Sequence, residues 1–187
     1  MSREPEPQVV GHAVQEFIDG SLKDGDEVLL LLQEHNNRLR AQVPTNPQAA
    51  LRANVFPQAF ELVRHAVRLA QEFARRQDTV REEKALHLRT GPVCWVHGHH
   101  RHLVGPAMLD WAECNERLGN QEKAAMIYDA VVKDFVEILD WDQNDKGYKI
   151  ALESLKKALE KSPQAAPALL EKTNRKLAVT FDKPSEN

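Results

Sequence analysis

Four of the chain's eight histidines fall within six residues, His97, His99, His100 and His102, and Cys94 stands three residues ahead of the first. Neutral imidazole and thiolate are the usual zinc ligands, and an i, i+2 pair on extended backbone shares one face and can grip one ion. In that conformation His97 and His99 point one way and His100 and His102 the other. A closed zinc site needs four donors, so the segment must curl for Cys94 to join, or a carboxylate from a helix must complete the set. The cluster therefore predicts zinc binding that weakens as histidine protonates below about pH 6.5. The competing reading is a polar loop with no cofactor, its imidazoles facing water or bonded to helix ends.

Other chemistry is sparse. Asp142-Gln143-Asn144-Asp145-Lys146-Gly147, with Glu153 six residues on, has the spacing of a calcium loop. Lys146, however, puts a positive charge in a ligand position, so an Asx-rich turn between helices is the expectation. No Gly-rich phosphate loop occurs, and no Ser or Cys sits in a nucleophile setting. These absences point away from an enzyme. Met108, Trp111, Cys114 and Tyr128 recur at helical spacing and read as core, and His65, beside Leu62 and Leu69, reads as a satisfied, partly buried histidine.

The elements that must position these residues are helices. The chain has 187 residues, 42% apolar and 28% charged, with a net charge of -3. That suits one domain with its own core and gives no basic excess for nucleic acid. Two cysteines fit a reducing compartment, and Met1-Ser2-Arg3-Glu4-Pro5 is no signal sequence, so a cytoplasmic protein is expected. The Val28–Leu32 apolar run, which no other run in the chain exceeds, is far short of a membrane span.

Val10, Ala13, Val14 and Phe17 form a first helical stripe, stopped at Gly20; Asp24 or Asp26 caps a second helix reaching about residue 42. A long third helix is expected from Gln48 or Pro57 to Arg89, its far end a solvated run of both charge signs. Thr90-Gly91-Pro92 then predicts a break, and Gly105-Pro106 the opening of the next helix. Helices are predicted again over about 106–118, 121–139, 147–161 and 164–180. The expected fold class is all-α, a helical bundle or short array of antiparallel hairpins: residues 8–89 an N-terminal helical part, 90–106 one long irregular histidine-rich loop, 107–181 C-terminal hairpins, and 1–7 and 182–187 disordered.

Within the C-terminal part, Leu118-Gly119-Asn120-Gln121-Glu122-Lys123-Ala124-Ala125-Met126-Ile127-Tyr128-Asp129-Ala130-Val131 and Gly147–Pro163 resemble the turn and second helix of tetratricopeptide repeats. Gly119 turns the chain, Ala124 and Ala151 permit close helix approach, and Tyr128, Val131, Leu155, Ala158 and Pro163 follow in place. The spacing from Ala124 to Ala151 is shorter than that family's repeat. The resemblance implies a scaffold that binds a protein or peptide segment, without catalysis. Charge is segregated here as well: residues 110–145 hold ten acids and three bases, residues 146–183 nine bases and four acids. Either the two faces attract each other within the fold, or Lys156, Lys157 and Lys161 meet an acidic partner.

Overall fold

Local chain-stop chemistry divides the sequence into helices. Gly20 and Gly119 both adopt positive φ (81° and 79°), a conformation that costs glycine nothing. Each ends a helix in the way a Schellman turn does: Ser21 N–H reaches back to Glu16 O at 2.9 Å, and Asn120 N–H to Asn115 O at 2.9 Å. A computed structural model of the chain describes residues 7–42, 55–97, 101–162 and 165–181, and every regular element among them is helical. In order these are α1 (Pro7–Ile18), α2 (Gly25–Gln42), α3 (Val55–Arg75), α4 (Thr79–His97), α5 (Arg101–Arg117), α6 (Gln121–Phe135), a 3₁₀ turn (Val136–Asp140), α7 (Lys146–Lys161) and α8 (Pro167–Phe181). The all-α class expected from the periodicity is the one found. The ends expected to be disordered lie outside the described residues, except that α1 already opens at Pro7.

The chain divides into two compact units, Met1–Val96 and His97–Asn187. In the first, α1, α2 and α3 pack against one another. Their core stripes are Val10, Val14 and Phe17; Val28, Leu32 and Leu39; and Leu62, Ala66, Leu69 and Phe73, all buried. The Phe17 and Phe73 rings meet at 5.2 Å, and the Arg76 guanidinium lies 4.2 Å over Phe17 while donating to its carbonyl. In the second unit α5 packs against both α6 and α7, α6 against α7, and α8 against α7. Ala124 and Ala151, expected to let helices approach, are both buried, as are Met108, Cys114 and Tyr128; Trp111 stays half-buried under Lys123. The closest approach is at Gly105, where an added Cβ would stand 2.6 Å from Ser154 Cβ and 2.9 Å from the Phe135 ring.

Three boundaries differ from the expectation. The long third helix is two helices: Gln77 turns left-handed (φ 60°), and Asp78 starts α4 by accepting from Arg81 N–H at 3.2 Å. The irregular loop at 90–106 is mostly helix, α4 running on to His97 and α5 starting at Arg101. Pro92 removes one helical donor, yet Thr90, Pro92 and Val93 are all buried, and packing of this kind outweighs a local breaker. Thr90 Oγ1 also donates to Leu86 O, one turn back. Likewise Gly105-Pro106 lies inside α5 rather than ahead of it, because Gly105 is the contact point with α7.

Candidate functional site

The described residues on either side of the histidine cluster are helical, so Cys94 and His102 lie on helices and not on extended backbone. The backbone is helical up to His97 and again from Arg101, and His99 and His100 lie outside the described residues. Cys94 is partly exposed on α4. His102 opens α5 and lines a pocket of 280 Å³ with Arg101, Trp141, Gln143, Asp145 and Tyr148. Gly147 makes room for it: a Cβ there would stand 3.2 Å from His102 Nδ1 and 3.0 Å from Asp145 Oδ1, so imidazole and carboxylate both border the bare Gly147 backbone. The charges around this pocket are already engaged in holding helix ends. Asp145 is the N-cap of α7, accepting from Tyr148 N–H at 2.9 Å, and Arg101 donates to Glu137 at 2.8 Å. The Tyr148 hydroxyl donates to Ile138 O at 2.9 Å and its ring stacks on Trp141 at 6.4 Å. The Asp142–Gly147 run is therefore the capping turn its Asx content suggested. Among the described residues no three His, Cys, Asp or Glu side chains converge as metal ligands.

The lysines proposed to meet an acidic partner have partners within the fold. Lys157 pairs with Glu113 and Lys161 with Glu116 (3.2 Å), both crossing from α7 to α5, while Lys156 reaches Glu160 on its own helix at 3.8 Å. Lys172 of α8 reaches Asp140 in the same manner, at 2.9 Å. The segregated charge thus serves to lay α7 and α8 over an acidic neighbour. Each of these lysines remains about half exposed.

A groove that carries no obvious motif is the third site. Asp26, Leu29, Leu30 and Gln33, one face of α2 at i, i+3, i+4 and i+7, oppose Glu83, Lys84, His87 and Leu88 of α4 around a cavity of 480 Å³. Leu29 and Leu88 are its buried floor, and Leu30 stands on its wall with 59% of its surface open to water. One end is closed by charge, Arg81 donating to Asp26 at 2.7 Å and Lys84 at 3.3 Å. The Arg81 guanidinium, with Lys84 beside it, holds the Asp26 carboxyl below the usual carboxylate range. Val80, on the same face of α4 as Lys84 and His87, is also largely exposed. The signal was present in the sequence: five consecutive apolar residues, Val28 to Leu32, sweep past a full turn of helix, so at least one must leave the core.

Compared with protein-family models, curated proteins and solved structures, the chain matches none. Among the described residues no helix is long and apolar enough to cross a membrane.

Proposed function

We propose that this chain is a non-enzymatic helical interaction module, and that it seats one turn or more of a protein partner's amphipathic helix in the groove between α2 and α4. The observation that carries this reading is Leu30, a large apolar side chain held in water at the edge of a 480 Å³ cleft whose floor is apolar and whose rim is polar. Clefts of this volume hold a few bulky side chains, and a groove walled by two helices favours a helix presenting apolar residues at i, i+3 or i+4, and i+7. The tetratricopeptide-like half-motifs of α6 and α7 agree with a scaffold role. Selection from a displayed library of helix-forming peptides tests the reading. Peptides with that apolar spacing should be enriched by the native chain and lose binding to Leu30→Asp, whose melting temperature should stay within a degree or two of the parent. Failure to enrich such peptides, or binding indifferent to Leu30→Asp, would refute the groove.

A second reading, zinc binding through the Cys94–His102 stretch, draws support from His102 and Asp145, an imidazole and a carboxylate that line one pocket beside Gly147. Zinc at one equivalent in untagged protein, lost in His102→Ala, is its test; metal-free protein that zinc does not stabilise removes it.

A further inference from the structure

The α2 core stripe is interrupted by a titratable residue. Leu32 and Leu39 are fully buried, and between them, on the same face, stands His35, only 4% exposed. From α3, beside buried Leu62, Ala66 and Leu69, His65 presses its ring against α1, where a Cβ on Gly11 would be 3.1 Å from its Cε1. Nδ1 of each imidazole is buried and has no hydrogen-bond partner. The two rings are near enough that charge on His65 disfavours charge on His35.

The surroundings are hostile to a proton. On α2, the Arg38 charge acts against a proton on His35, and Arg38 keeps one buried terminal nitrogen unpartnered. On α3, Arg64 and Arg68 flank His65, Arg64 pairing with Glu61 and Arg68 with Gln15 of α1. The carboxylates of these three helices are paired or face water: Glu61, one turn before His65, is taken by Arg64. Glu72 is held by Arg75 and Arg76, Asp26 by Arg81, Glu16 pairs with His12 at 3.4 Å, and Glu27 and Glu34 face water. The α4 groups that approach α2, Glu83, Lys84 and His87, do so over the face bearing Asp26, Leu29, Leu30 and Gln33, away from His35. Burial is the larger cause holding both histidines below the ordinary imidazole value, with the arginines adding to it.

We propose that His35 and His65 form an acid-released latch: as neutral rings, the first buried and the second half-buried against α1, they complete the packing of α1, α2 and α3, and as cations they loosen it. The sign follows from proton linkage. The unfolded or opened chain takes up protons at these rings near pH 6.5, whereas the packed core resists them, so stability is full above that pH and is lost as pH falls below it. Two such groups raise the opening constant up to about 100-fold for each pH unit, tenfold per proton. The latch stands independently of the groove, although α2 also forms one of the groove's walls.

Segment-resolved hydrogen exchange of the full chain at pH 7.5, 6.5 and 5.5, corrected for intrinsic rates, tests the latch. Protection of residues 8–42 and 57–75 should fall steeply between pH 6.5 and 5.5, while 103–161 changes little. His35→Leu with His65→Leu, which continues the apolar stripes, should remove that dependence. Should the double variant misfold, imidazole NMR of the native chain decides the matter: both rings should be neutral at pH 6 while the helices are packed, and gain protons only as protection is lost. PH-independent protection, a slope that survives in the folded double variant, or a charged His35 or His65 within a protected core would each overturn the proposal.

Discussion

Gly105→Ala should destabilise the His97–Asn187 unit although it replaces a poor helix former by the best one. In an open helix the change contributes about 1 kcal/mol of stability. Here the new methyl would stand 2.6 Å from both Cβ and Oγ of Ser154 and 2.9 Å from Phe135 Cε2. Rotating the Ser154 side chain moves Oγ but not Cβ, and both neighbours are buried, so α5 and α7 must separate by about 1 Å to restore ordinary contact distances. Overpacking of this kind costs about 1–3 kcal/mol, at the upper end where backbones must move, and can exceed it. The expected net loss is about 2 kcal/mol, which for a unit of this size lowers the melting temperature by roughly 8–16 °C. Urea unfolding followed by Trp111 and Trp141 fluorescence in a Trp95→Phe background reads this unit. Ser154→Gly should be destabilising alone by about 1 kcal/mol yet rescue Gly105→Ala, giving a coupling of about 1–2 kcal/mol in a double-mutant cycle. A stabilising Gly105→Ala, or strictly additive variants, would refute the close-crossing argument.

Two further outcomes test the electrostatics. The Glu72 carboxyl, gripped by Arg75 and then Arg76, is held down to about 2, so its contribution is present above its ordinary value near 4.5 and should be lost as pH falls from there toward 2; Glu72→Gln should flatten acid unfolding of the first unit in that window, well below the histidine range. Lys157→Glu with Lys161→Glu should lower stability by about 1 kcal/mol, since half-exposed pairs contribute little individually. Adding Glu113→Lys and Glu116→Lys should restore it if the pairs are as placed, and unchanged stability after all four exchanges separately would show that they contribute nothing.

The helices were legible because their signals are local and repeated. The Val10–Phe17 stripe, Gly20, the Asp24 cap and the Gly119 turn all lie where spacing and turn chemistry put them. The 90–106 stretch departs from its local pattern because its breakers are local while the forces that overrule them are not. Nothing in Thr90-Gly91-Pro92 reveals that all but Gly91 will be buried, and nothing in Gly105-Pro106 reveals that Ser154 will sit against Gly105. The reverse holds between α3 and α4. Asp78 looked like one more charge in a solvated run, whereas the conformation of Gln77 makes it a cap.

The same distinction between local pattern and tertiary placement governs the candidate site. Lys156, Lys157 and Lys161 attract notice because charge runs are conspicuous in a sequence, but a run of lysines on α7 and a run of acids on α5 are mutually complementary, and a folded chain satisfies its own charges when they lie within reach. What a partner needs is a group the fold leaves unsatisfied. Charged side chains are solvated by water and signal little by being exposed, whereas an exposed leucine gives up its burial energy, about 1.5–3 kcal/mol for a large aliphatic side chain. Leu30 is such a residue, and it stands at a cleft. His35 is the buried counterpart of that mismatch, a polar group where the α2 stripe calls for leucine. Both depart from the pattern their neighbours set, and such departures in an otherwise consistent helix are where function is to be sought.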